Sequence, residues 1–210
     1  LFRSLGLLDT VWALMLVYAA MNLSIVVWII RSYMLDIPPE IDDPGIQGLQ
    51  ITVYWDWLEK KKGVYDFSCI ERIYNALARK KKYLVVEVYE RNNGARADPG
   101  PPCPKYLLED PIYEGGVQKR KFANGREGIQ LKLWRPAVMD RYIALWRALG
   151  ERFDKEPYFE GIKHVEPCVA LPAQMTPEYL EDFTLELWME QYERLAREAK
   201  PAWPRTIIFW

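Results

Sequence analysis

The sequence predicts an α/β fold with a parallel sheet, set behind one transmembrane helix. Three observations carry this. An uncharged apolar run extends from Thr10 to Ile30. From residue 48 onward, short β-rich runs alternate with segments of helical periodicity, which is the pattern of parallel α/β sheets. No Gly-rich phosphate loop follows the first of these strands, where DWLEKKKG is bulky and charged. That argues against a nucleotide-binding doubly wound sheet.

The apolar run reads TVWALMLVYAAMNLSIVVWII. As a helix it spans roughly 30 Å, the thickness of a bilayer's hydrocarbon core. Trp12 and Trp28 lie near its ends, where amphipathic rings favour the interface. A secretory signal has a shorter apolar core and a small-residue cleavage site; IIRSYM offers none. One arginine flanks each side, so charge does not set the orientation.

The globular part follows in order. LQITVYW (49–55) is β-branched and aromatic and reads as a strand. Ser68 and Glu71 form a capping-box pattern ahead of Ile70, Ile73, Tyr74 and Leu77, spaced for a helix. YLVVEVY (83–89) is a continuous β-rich run, as in a buried parallel strand. Asn92 to Arg135 is a long connection with five prolines and paired glycines, read as a functional or disordered loop. Lys119 to Lys121 within it read as a solvated patch, and Lys80 to Lys82 as a basic helix C-terminus. Pro136 opens a helix with Val138, Tyr142, Leu145, Trp146, Leu149 and Phe153 on one side. GIKHVE (161–166) is a third strand, Thr176-Pro177 starts a helix to about Ala199, and RTIIFW (205–210) is a fourth strand.

Composition excludes some functions. The 210 residues carry a net charge of -1, balanced along the chain, which argues against nucleic-acid binding. Three cysteines without a CxxC pair indicate neither a zinc site nor a disulfide framework. His164 is the single histidine, so any Ser-His-Asp or Cys-His chemistry must use it. Nine tryptophans and thirteen tyrosines serve core packing or, as flat rings, sugar stacking.

Two resemblances sharpen the reading. Residues 5–41, LGLLDTVWALMLVYAAMNLSIVVWIIRSYMLDIPPEI, resemble a membrane helix of the sugar-transporting, binding-protein-dependent ABC permeases. Beyond it the likeness fails: Pro44 and Gly45 stand where that family has Ala-Ala, and proline breaks a coupling helix. One helix cannot form a translocation path. YWDWLEKKKGVYDFSCIERI (54–73) resembles an early βα unit of barrel glycoside hydrolases, with Trp55, Leu58, Glu59, Gly63, Tyr65, Asp66 and Phe67 matching and Lys60 replacing a proline. Most of these matches read as a turn glycine, an aromatic anchor and a helix start. FEGIKHVEPCVAL (159–171) is similar to the fourth-strand segment of such enzymes, with Glu166 at the general acid/base position. Val165 stands where asparagine usually precedes it.

The resemblances imply a partial (β/α) TIM-type barrel of about four βα units preceded by one transmembrane helix. The expected division is a permease-like segment over 1–42 and a β-galactosidase-like, incomplete barrel over 43–210. The seam is placed at Asp42-Asp43 within DIPPEIDDPGIQG. Glu166 is the expected general acid/base, with Trp55, Glu90, His164 and Trp210 binding substrate. On a strand, His164 and Glu166 share a face. Glu87 and Glu90 are weak candidates for the second carboxyl that hydrolysis needs; by resemblance that group comes from a late strand not reached here. No metal or cofactor is expected. Expected partners are a carbohydrate and, through residues 10–30, the lipid bilayer of a bacterial inner membrane, the soluble part cytoplasmic by the permease resemblance. ABC transporter subunits are partners only if the permease-like segment works. A membrane component of a carbohydrate transporter and a non-catalytic sugar-binding half-barrel remain alternative readings.

Overall fold

The structure, a computed structural model, describes residues 39–92, 100–121, 127–165 and 182–210. The chain divides into two compact units, Leu1–Pro44 and Gly45–Trp210. In the first, the described element is a short 3-10 helix, Pro39–Asp42. Residues 10–30, where a membrane helix is expected, lie outside the described residues. Among the described residues no helix is long and apolar enough to cross a membrane.

The second unit is built on four parallel strands: β1 (Gly48–Tyr54), β4 (Tyr83–Tyr89), β8 (Phe159–His164) and β9 (Ile207–Phe209). They lie side by side in that order, each pairing parallel with the next. Sequential order without reversal is the winding of a barrel wall. A doubly wound sheet reverses direction at a switch point.

Each crossover is helical. α2 (Ser68–Arg79) buries Ile70, Tyr74 and Leu77 at helical spacing. α4 (Pro136–Phe153) starts on its proline, as expected, and buries the whole predicted stripe from Val138 to Phe153. α5 (Leu185–Ala199) buries Gln191, Leu195 and Ala199. Against these helices lie Leu84, Val86, Val88 and Ile162 of the sheet, all fully buried. Each such aliphatic chain contributes roughly 1.5–3 kcal/mol by leaving water. Near the other end of α4, Phe153 stacks on Phe159 at 5.0 Å and Phe159 on Trp203 at 5.8 Å. Trp203 donates its indole N–H to the Trp146 carbonyl at 3.1 Å. Asp154 Oδ1 accepts from the amides of Arg205 and Thr206, both at 2.9 Å, which sets the approach to β9.

The other face of the sheet is open. Gln50, Thr52, Ile207 and Phe209 are exposed there, alternating with the buried set.

Three sequence expectations change. Ser68 does not cap α2; it is the first helical residue, and Asp66 Oδ1 accepts its amide at 3.0 Å. Glu71 turns away to Arg152 at 2.6 Å. A short carboxylate two residues earlier serves the amide better than the Ser68 hydroxyl can from inside the turn. α5 begins at Leu185, capped by Thr184, whose hydroxyl accepts from the Leu187 amide at 3.1 Å. The expected start at Thr176-Pro177 lies outside the described residues.

The connection after Asn92 is not simply loop. β5 (Arg91–Asn92), β6 (Val117–Lys121) and β7 (Glu127–Leu131) form an antiparallel sheet in the order β5-β7-β6. A short helix α3 (Tyr106–Glu109) precedes β6. This subsheet rises from the C-terminal end of β4, and Lys119 to Lys121 belong to a strand.

Gly150 marks a close approach between α4 and the 3-10 turn Lys200–Ala202. A Cβ there would sit 2.5 Å from the Ala202 carbonyl oxygen and 2.8 Å from the Ala202 Cβ. Gly150→Ala is therefore expected to destabilise the fold by about 1–3 kcal/mol. A urea melt with an unchanged midpoint would show that the contact yields freely.

Candidate functional site

The chemistry of a (β/α) barrel lies at the C-terminal ends of its strands. Here that end carries two distinct clusters, one on each face of the sheet.

The first cluster lies in the buried layer. His164 is fully buried at the end of β8, edge-on to Tyr142 at 5.6 Å and stacked near Trp146 at 6.1 Å. Trp55 is fully buried with its ring 5.1 Å from Tyr142. Trp210 stacks on Trp146 at 5.6 Å and lies 6.4 Å from His164. Glu90 is buried and ion-paired with Arg91, whose Nε donates to it at 2.8 Å. Burial first, then the Glu90 charge, pushes the Tyr142 phenol pKa upward. Trp55, His164 and Trp210 thus share one aromatic layer with Tyr142 and Trp146, and the buried Glu90 lies at the neighbouring strand end.

They converge in a core, however. Trp55 has no ring surface left for a sugar, and its indole N–H is taken by Glu59. His164 presents its Nδ1 to the Val165 carbonyl. That carbonyl can only accept, so Nδ1 carries the proton and donates. Burial lowers the imidazole pKa to about 3, the Val165 contact opposes this, and Arg91 lowers it further. The ring is therefore neutral at ordinary pH. Among the described residues no group bonds its Nε2. Of the four, only Trp210 is substantially exposed, at 49 %. It borders a shallow apolar groove with Trp188, Met189 and Tyr192. Glu166, the expected acid/base, lies outside the described residues.

The motif from Trp55 to Phe67 resolves into a self-contained network. α1 (Trp55–Leu58) leads into a hairpin of β2 (Glu59–Lys61) and β3 (Val64–Tyr65). Gly63 holds the turn at φ 75°, a left-handed conformation that favours glycine. Glu59 is fully buried. It accepts from Trp55 Nε1 at 2.7 Å, the Gly63 amide at 2.6 Å and Arg141 Nη2 at 2.6 Å. Arg141 also donates to the hydroxyls of Tyr106 at 3.1 Å and Tyr65 at 3.2 Å. Burial raises the pKa of both phenols, and the Glu59 charge adds to it. Every member is satisfied, and the network ties the hairpin to α4.

The second cluster, on the open face, joins Glu87, a weak candidate in the sequence, to residues that the sequence did not single out. Thr52, Glu87, Lys163 and Phe209 lie in one register layer. Glu87 accepts from Thr52 Oγ1 at 2.9 Å and pairs with Lys163 at 3.0 Å. One step toward the strand ends, Tyr54 and Tyr89 are in register, with rings 5.7 Å apart and edge-to-face. Trp57, on the outer side of α1, packs edge-to-face on Tyr54 at 4.9 Å. The signal was the two-residue alternation of β1. With Val53 buried, Tyr54 points to the open face, and Trp55 does not.

Among the described residues no group of His, Cys, Asp and Glu side chains is arranged to hold a metal ion.

No protein-family model matches this chain, and no curated protein does. Solved structures do. Endo-glycoceramidase II from Rhodococcus sp., in a cellobiose-like imidazole complex, aligns with a TM-score of 0.55 at 16% identity, covering 83% of this chain and 43% of that one. Its lactosyl-enzyme intermediate aligns at 0.54 and 16%, with the same coverage. GH5_18 from Streptomyces cattleya, in complex with GlcNAc, aligns at 0.52 and 12%, covering 78% of this chain and 35% of that one. The chain spans less than half the length of each. At these identities the likeness is one of fold: an α/β chain whose parallel sheet resembles part of a glycoside hydrolase barrel. It lends no support to the permease-like reading of residues 1–42.

Proposed function

We propose that this chain carries part of a glycoside hydrolase-type barrel that acts on carbohydrate, with Glu166 as general acid/base. The observation that supports the reading most is the sequential parallel order β1-β4-β8-β9, shared with barrels whose solved complexes hold sugars and sugar mimics. In this chemistry one carboxylic acid protonates the leaving oxygen. A second carboxylate, about 5 Å away in retaining enzymes, attacks the anomeric carbon. Among the described residues, Glu87 and Glu90 are engaged by Lys163 and Arg91. Neither is offered as that second group.

The test is release of nitrophenolate from a panel of nitrophenyl glycosides by the polypeptide as its source cell makes it. Release that Glu166→Gln abolishes is expected. Release unaffected by Glu166→Gln, or none on any glycoside, counts against the reading. The 210 residues by themselves are expected to bind without turnover; Glu166-dependent release from them would place both carboxyls within this chain.

The membrane helix over 10–30 and an inner-membrane location belong to the same proposal and rest on the sequence. Sedimentation with membranes after carbonate washing tests them; release into the supernatant would count against both.

A further inference from the structure

We infer that Arg135 is a positioning residue for Glu166: it clamps Asp182, where the connection from β8 returns to α5, onto the connection from β4. The inference rests on the acid/base reading of Glu166 above and names the group that anchors the connection bearing it.

Arg135 is the residue that opens α4. Both α4 and α5 return the chain between parallel strands, so their first turns lie where β4 and β8 finish. The Arg135 side chain is 17% exposed and reaches two connections at once. On one side its Nε pairs with the Asp182 carboxylate. On the other, Nη1 donates to the carbonyls of Tyr113 at 3.4 Å and Glu114 at 3.0 Å. The same nitrogen meets the Glu114 carboxylate at 2.7 Å. Serving both sides takes a rigid fork with several donors, which arginine has and lysine lacks.

Two further observations bear on the clamp. Glu114 holds φ 47°, a left-handed conformation that is unfavourable for a residue with a side chain. Gly115 and Gly116 continue the turn at 81° and 49°. Such a residue persists only where its surroundings over-determine it, and Arg135 binds its carbonyl. The neighbouring residues repeat the contact: Phe183 packs edge-to-face on Trp134 at 5.2 Å, and Lys132 lies 3.9 Å from Asp182. Asp182 and Phe183 are thus held just ahead of Thr184, the cap of α5. At the other end of the same connection, Val165 is buried directly before Glu166. A chain held at both ends samples fewer arrangements than one held at one end. Alignment matters for chemistry, because a displacement of about 1 Å in a reacting group costs on the order of 100-fold.

The experiment follows alkylation of Glu166 in the 210-residue chain, in a Cys168→Ser background, by N-bromoacetyl cellobiosylamine. A carboxylate oxygen forms an ester with the reagent carbon and bromide leaves. Rate against reagent concentration separates the maximal rate from the half-saturating concentration, and urea melts establish that each variant is folded. Asp182→Asn and Arg135→Lys are each expected to lower the maximal rate about tenfold, with the half-saturating concentration within about threefold of the parent. The double variant is expected to be no slower than the slower single one, because both changes break the same clamp. Glu114→Gln, at a carboxylate that is 72% exposed, is expected to stay within about twofold of the parent. A parent-like rate in Asp182→Asn, or losses that multiply in the double variant, would overturn the clamp and leave Glu166 standing. A change confined to the half-saturating concentration would overturn the positioning role. No alkylation of Glu166 in the parent chain would overturn the Glu166 reading and this inference with it.

Discussion

Glu59→Ala is expected to lower folding stability by about 3–5 kcal/mol, the usual cost of removing one partner from a buried ion pair. The carboxylate is fully buried and accepts three hydrogen bonds, from the Trp55 indole, the Gly63 amide and Arg141. Its loss leaves a charged Arg141 side chain that is only 17% exposed and a buried indole N–H with no acceptor. The turn at Gly63 loses its anchor as well. Glu59→Gln keeps an acceptor oxygen and loses the charge, so a smaller loss of about 1–3 kcal/mol is expected. Glu59→Leu combined with Arg141→Met is expected to recover much of the deficit, because two apolar chains leave no charge stranded. Urea unfolding at neutral pH measures all three. A loss below about 1 kcal/mol for Glu59→Ala would show that water or a neighbour replaces the carboxylate.

Acidification is expected to destabilise the fold well before the carboxylates titrate. The imidazole of His164 has a pKa of about 3 in the folded chain, chiefly because burial disfavours its charged form. In the unfolded chain the value returns to about 6.5. Between those values the unfolded state binds a proton that the folded state refuses, so stability falls as pH falls through this window. Over the full window the loss is on the order of 5 kcal/mol, of which about 2 kcal/mol appears between pH 6.5 and 5. His164 is the only histidine in the chain, so it dominates that upper interval. His164→Phe is expected to flatten it. A parent protein whose unfolding midpoint stays constant from pH 6.5 to 5 would show that His164 is solvated or paired in the folded state.

These two residues show which parts of the molecule the sequence discloses. The four parallel strands and the helices between them were legible because each has one buried side. Val138 through Phe153 repeat at helical spacing, and YLVVEVY sets Leu84, Val86 and Val88 on its buried face. β6 and β7 were not legible. VQKRK is largely charged and EGIQL is short, and two such strands that pair mainly with each other leave little hydrophobic period to read.

At the site, the sequence left open which face of the sheet each side chain takes. Trp55, Glu90 and His164 do gather at the C-terminal end of the sheet, around Tyr142. But alternation along β1, β4 and β8 sends them inward, while Tyr54, Glu87, Tyr89 and Lys163 take the open side. Exposure of a tryptophan depends on which side of α1 it occupies, and Trp55 and Trp57 differ by two residues and by their whole environment. The matched motif from Trp55 to Tyr65 is a structural clasp, in keeping with its turn glycine and aromatic anchor.

Glu166 as the carboxyl that meets the sugar is the central claim, and affinity labelling tests it most directly. An N-bromoacetyl glycosylamine places its reactive carbon where the glycosidic oxygen would lie. A carboxylate there displaces bromide and forms an ester. In a Cys168→Ser background, which removes the thiol two residues from Glu166, peptide mapping by mass spectrometry is predicted to find one sugar-protected label, on Glu166, suppressed by excess cellobiose or lactose. Labelling confined to other residues, or labelling of Glu166 that excess sugar leaves unchanged, would contradict the account.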